Sequence, residues 1–201
     1  MFEKPMLPIK RKTPFDSEDH LFEPKIAGQR LRLEMKDGVT TLLSRHGFDL
    51  TMQYPELTRV PLRFPADVVI DGEAACLDPD TGREDKEKLQ SRYRMTRRPD
   101  IREAAKVNPV TFFAFDLLSL NGADLRLWPL LERKKALHDV LEENHYFKHM
   151  LFVEQEGVKL YRLAGLIGLE GIMCKKKKSP YREGRSQDWL AVLNDKGQVT
   201  L

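Results

Sequence analysis

Strand-like and helix-like stretches follow one another in this chain without regular alternation, and this narrows its possible folds more than any other feature. Leu31, Leu33 and Met35 put apolar side chains at every second position, which predicts a strand over 31–36, and 22–24 also reads as extended. Asp37-Gly38 signals a tight turn into a partner strand over 39–45. Further strands are predicted over 68–77, interrupted by Asp71-Gly72-Glu73, and over 111–118, dense in phenylalanine and ending near Asn121-Gly122. Short strands over 172–175 and 189–194 flank a basic loop with Pro180 and Gly184. Helices are predicted over 84–95, over 100–107 with Asp100 as cap, and over 157–169. The clearest helix covers 129–144, with Pro129 in its first turn and Leu130, Lys134, Leu137 and Leu141 on one stripe. Such a mixture predicts the α+β class with largely antiparallel sheets. No repeat or low-complexity linker divides the chain, so one domain is expected over 1–201.

The 201 residues suffice for a substantial core. Hydrophobic residues make up 41% and are broken every few positions by charge, so no segment reads as membrane-spanning. The first fourteen residues carry Lys10-Arg11-Lys12 but no apolar run, unlike a secretory leader. Cys76 and Cys174 lie far apart without metal-ligand spacing, which points to a reducing cytoplasm and against a zinc site. A net charge of +3 does not mark a nucleic-acid binder. Two local stretches do suit phosphate: 175–178 with Arg182 and Arg185, and Arg92, Arg94, Arg97 and Arg98. Solvated surface charge is the better explanation of either stretch alone.

Chemistry concentrates in five segments. They are Glu23-Pro24-Lys25-Ile26-Ala27-Gly28-Gln29-Arg30, Ser44-Arg45-His46-Gly47, Asp71-Gly72-Glu73, Phe112-Phe113-Ala114-Phe115-Asp116 and Glu170-Gly171-Ile172-Met173-Cys174-Lys175. Ser179-Pro180-Tyr181, Gly184-Arg185-Ser186 and Trp189-Leu190 follow the last. Each is weak alone, but independent short matches rarely fall in order across roughly 170 residues. A lysine attacks as the neutral amine, which nearby cations or desolvation favour. Arg30 brings a planar fork of donors suited to phosphate.

In this order the segments resemble the ATP-dependent DNA ligases of bacteria and their phages, over about 23–194. The resemblance implies two largely antiparallel sheets with flanking helices enclosing a nucleotide cleft, an ATP-grasp-like nucleotidyltransferase fold. It implies an adenylation domain whose motif-bearing core spans about 22–194. The activity implied is transfer of AMP from ATP to Lys25 and then to the 5′-phosphate of nicked double-stranded DNA. Magnesium or manganese is the implied cofactor, and a cytoplasmic monomer the implied state. Glu73 and Glu170 correspond to the carboxylates that serve the ribose or a metal ion, a role suited to hard, oxygen-preferring cations. Phe115 and Met173 correspond to the pair that sandwiches adenine, and Phe112 and Phe113 are left as core. Arg45 corresponds to a phosphate-facing residue, and Glu23, Ile26, Arg30 and Lys175 complete the implied nucleotide site.

Three places break the pattern. Ala27 stands where the family has aspartate, Ala191 and Leu193 where the last motif commonly has Lys-x-Lys, and Lys86 where phenylalanine commonly follows an aspartate. In an extended segment Ala191 and Leu193 share a side that would otherwise aim cations at the α-phosphate, and preorganised charge there carries much of the catalytic power. Ala27 removes a carboxylate, with later steps expected to suffer more than nucleotide entry. The two alanines fit either deliberate substitution or natural decay. The chain also ends too soon after Asn194 for the small OB-fold domain that follows in the family, which is therefore expected to be absent. Impaired catalysis is the expectation. Two other readings stay open: an RNA ligase or capping-type nucleotidyltransferase, and a catalytically silent nucleotide- or DNA-binding module.

Overall fold

Asp37 and Gly38 take positive φ angles of 49° and 76°, the conformation a tight hairpin turn requires, and they join two of the expected strands. The computed structural model describes residues 4–194. Its elements, in order, are β1 (Met6–Arg11), β2 (Ser17–Pro24), β3 (Gln29–Lys36), β4 (Val39–Ser44), β5 (Val68–Cys76), α1 (Lys86–Arg94) and α2 (Arg98–Val107). There follow β6 (Val110–Leu120), β7 (Ala123–Asp124), α3 (Leu130–Val140), β8 (Phe147–His149), β9 (Val153–Gln155), α4 (Gly157–Leu166), β10 (Gly171–Lys176) and β11 (Gly184–Leu193). The chain is α+β. The expected domain limits, 1 and 201, lie outside the described residues.

The strands form two sheets. One runs β1-β11-β10-β2-β9, the other β4-β3-β5-β6-β7, with β8 beside β6. Pairing is antiparallel except for β1 with β11 and β6 with β8. Along β10, Ile172 and Cys174 face one way and pack with Val192 and Ala164 of α4; Met173 and Lys175 face the other way. Met6, Phe115, Leu118, Tyr181 and Trp189, drawn from both sheets, form the core between them. A larger core lies on the far side of the second sheet, where Leu31, Leu33, Ile70 and Phe112 meet Leu89 of α1 and Leu137 and Val140 of α3. The order of layers is therefore helix, sheet, sheet, helix. Both cysteines are free and buried. No helix among the described residues is long and apolar enough to cross a membrane.

Several local expectations change. Asp100 does not cap α2: the helix starts at Arg98 after Arg97, with Pro99 in its first turn and Asp100 already inside. Asp85 caps α1 instead, accepting from Lys88 N. Pro129 precedes α3 rather than opening it, and α3 stops at Val140, short of Asn144. The strand expected at 189–194 begins at Gly184, because pairing with β1 extends it.

Candidate active site

The chain passes from one sheet to the other between Pro24, the end of β2, and Gln29, the start of β3. Lys25 lies on this crossover, where its backbone N–H donates to Gly171 O at 2.9 Å. Its Nζ bonds Glu170 Oε2 at 2.7 Å, and Lys86 Nζ bonds Oε1 of the same carboxylate. Burial opposes ionisation of Glu170, but the bonds and charges of Lys25 and Lys86 hold its carboxyl down at about 2.

Around Lys25 opens a cleft of about 710 Å³. Glu23, Ile26, Arg30, Arg45, Glu73, Phe115, Glu170, Met173 and Lys175 all line it, so every residue expected at a nucleotide site shares one cavity with Lys25. Glu73 faces Arg30 across the β3–β5 pair. Burial pushes its carboxyl up to about 7, against the pull of Arg30 and Lys25.

Several of these groups are already engaged. Arg30 points its fork at Asp71, with Nε to Oδ1 at 3.0 Å and Nη2 to Oδ2 at 2.6 Å, and donates through Nη1 to Met6 O. Tyr181 closes this network by donating to Asp71 Oδ2 at 2.6 Å and accepting from Met6 N. The Glu23 carboxylate lies buried between Lys134 and Lys175, each at 2.6 Å. Burial works against its charge, yet the two lysines keep its carboxyl below the usual range. Burial also pushes the Lys175 ammonium down to about 8, with Glu23 resisting. Lys175 lies over the Phe115 ring at 4.1 Å, and Arg30 over it at 5.2 Å, so a base stacked on Phe115 shares the ring with these cations.

Known proteins resemble this chain over most of its length. Residues 5–192 match the family described as ATP dependent DNA ligase domain. The chain belongs to the ATP-dependent DNA ligase family. It is 33% identical over 196 residues to the SPbeta prophage-derived DNA ligase-like protein LigB of Bacillus subtilis, covering 96% of this chain and 68% of that protein. It is 31% identical over 180 residues to a DNA ligase of Pyrobaculum calidifontis, covering 86% of this chain but 30% of the relative. Among solved structures, mycobacterial DNA ligase D complexed with ATP and MES superposes with a TM-score of 0.76 at 26% identity, over 96% of this chain and 60% of that one. This ligase chain thus spans less than a third of the archaeal relative's length.

The positions read as departures from the family pattern take definite places in the fold. Ala27 is buried on the cleft wall, its N–H donating to Glu84 Oε1 at 3.3 Å. Ala191 is buried opposite Met173 in the β10–β11 pair, and Leu193 lies further along the same side of β11. The basic stretches shrink on inspection. Arg92 is buried and bonded to Glu56, Gln53 O and Asn108 O. Lys175 is tied to Glu23, Lys176 to Asp188 and Lys177 to Glu154. Trp189, Lys86, Asp71 and Tyr181 were not among the expected site residues. Trp189 lines the cleft, Asp71 and Tyr181 hold Arg30, and Lys86 holds Glu170.

Proposed function

We propose that this ligase domain transfers AMP from ATP to Lys25 and then to the 5′-phosphate of nicked DNA. The observation that carries the reading is the position of Lys25, inside a nucleotide-sized cleft that Arg30, Arg45, Lys86 and Lys175 also line, and bonded to Glu170. In the first step Lys25 Nζ attacks the α-phosphorus; a P–N bond forms, the P–O bond to pyrophosphate breaks, and the amine proton is released. In the second, the 5′-phosphate oxygen takes AMP from the lysine, which leaves as the amine.

A divalent cation, magnesium or manganese, would neutralise phosphate charge as the pyrophosphate leaves. Among the described residues no three His, Cys, Asp or Glu side chains converge on a metal position. Magnesium tolerates such a sparse set, using one or two carboxylates and the phosphates themselves. Glu73 fits that role, whereas both Glu170 oxygens face lysines. We place this activity in the cytoplasm, in a monomer, with Ala27 and Ala191 slowing it.

Intact mass after incubation with ATP and magnesium tests the reading. A gain of one AMP, absent with GTP and absent in Lys25→Ala, is expected; a capping-type enzyme takes GTP instead. Ala191 favours a second reading, because it puts an apolar group where the family aims a cation. That silent-module reading holds if nucleotide binds and no adduct forms.

A further inference from the structure

The ATP reading leaves one question open: what supplies the positive charge that Ala191 and Leu193 do not. Neither residue lines the cleft. Lys10, in register with Ala191 across the β1–β11 pair, does not line the cleft either, and two lysines of the basic loop are committed elsewhere. Lys175 is buried on Glu23, and Lys177 is bonded to Glu154.

Lys86 is also bonded to a carboxylate, but one inside the cleft, and its side chain is well exposed. It lines the cleft, at a position where the family resemblance calls for phenylalanine. From the first residue of α1 its ammonium reaches Glu170 Oε1, while Lys25 holds Oε2. Two ammonium groups bonded to the two oxygens of one carboxylate lie within roughly 7 Å of each other, given ordinary hydrogen-bond lengths. A single carboxylate neutralises only one of two ammonium groups, so with Lys25 protonated the trio carries a net positive charge, and with Lys25 as the neutral amine Lys86 remains as the cation beside it. The side chain is also free to leave, being 57% exposed. An ion pair that exposed is weak, so exchanging Glu170 for a phosphate oxygen costs little.

We propose that Lys86 is a phosphate-contacting residue of this cleft, supplying to the ATP polyphosphate the cation that the last motif lacks. The proposal rests on the reading of the cleft as an ATP site. It makes this domain's departures a relocation of charge: one cation lost from β11, one gained at the start of α1.

The test compares the wild-type chain with Lys86→Met, Lys86→Arg and the double variant Lys86→Met/Ala191→Lys. ATP and adenosine binding are measured by calorimetry, and Lys25 adenylation by intact mass over time. In Lys86→Met, ATP affinity is expected to fall on the order of tenfold, the scale of one charge-assisted hydrogen bond. Adenosine affinity stays unchanged, adenylation slows, and the melting temperature holds. Lys86→Arg retains most of the affinity, and adding lysine at 191 restores the rate. Unchanged ATP affinity and rate in Lys86→Met overturn the proposal. An equal loss for ATP and adenosine overturns it too, because Lys86 would then shape the wall instead of meeting phosphate. A wild-type chain that neither binds ATP nor forms an adduct removes the ATP reading itself, and the proposal with it.

Discussion

Glu73 shows how one buried carboxyl couples the candidate site to stability. Its carboxyl titrates near 7 in the folded chain against an ordinary 4.5. Between these values the folded protein holds a proton that the unfolded chain has released, so stability falls as pH rises from about 4.5 to about 7. Glu73→Gln removes that slope. The variant is expected to melt higher than wild type at pH 8 and equally at pH 4, with a ceiling on the order of 3 kcal/mol. Parallel melting curves across that range would show that Glu73 is solvated and titrates normally. At this scale the sequence was legible where chemistry sits in local motifs. Lys25, Glu73 and Glu170 could be picked out through the family resemblance of the ordered motifs, and they do share a cleft. Asp71, Tyr181 and Lys86 could not, because their roles depend on partners distant in the chain. Lys86 meets a carboxylate 84 positions away, and Tyr181 meets one 110 away.

Among the elements, β10 does the most to position the site, and its first residue explains how. Gly171 has φ +141°, and a Cβ added there would meet Val192 O at 2.1 Å. This close approach to β11 sets where Glu170, one residue earlier, can hold Lys25. The Gly171 carbonyl also receives the Lys25 N–H. Gly171→Ala is expected to destabilise the fold by about 3 kcal/mol or more, from clash and backbone strain together. It should also abolish the lysine adduct under conditions where the variant is still folded. A variant that melts like wild type and adenylates at the same rate would mean that β10 and β11 separate without cost. Apolar alternation made β3 readable in advance, the Asp37-Gly38 turn did so for β4 and a run of phenylalanines for β6, whereas β1 and β9 were missed. Both owe their state to pairing partners: β1 lies along β11, and β9 along β2. The N-terminal limit of α2 was misplaced for a related reason. Pro99 suits a first turn, so the helix starts before Asp100 can act as cap.

For the molecule as a whole, the charge distribution seen in sequence overstates what a nucleic acid would meet. Of the two basic stretches, Arg92 and Lys175 are buried, and Lys176 and Lys177 are paired with acids. Arg94, Arg97, Arg98, Lys178 and Arg185 remain exposed. Nicked duplex is therefore expected to bind weakly, with each neutralised phosphate adding about −0.9 to the salt slope. Replacing Lys178 and Arg185 by Gln should flatten that slope by up to about two phosphates' worth. Arg92→Gln should instead lower the melting temperature, since it leaves Glu56 buried without its partner. A flat salt dependence in the wild type would make the exposed arginines and lysines mere solvated surface. Net charge and composition gave no access to this division, because burial depends on which residues the helices and sheets bring together.

The crossover between β2 and β3 has a mechanical meaning. Helix α3 bridges the two layers: Arg133 bonds Asp116 of β6, Lys134 pairs with Glu23 of β2, and the Leu130 and Leu131 amides reach the loop after β10. Lys25 sits on a further link, a four-residue thread stitched from one layer to the next. Shear of one layer over the other would load this thread along with α3 and the Arg30–Met6 bond, and a ligand that grips both layers would resist it.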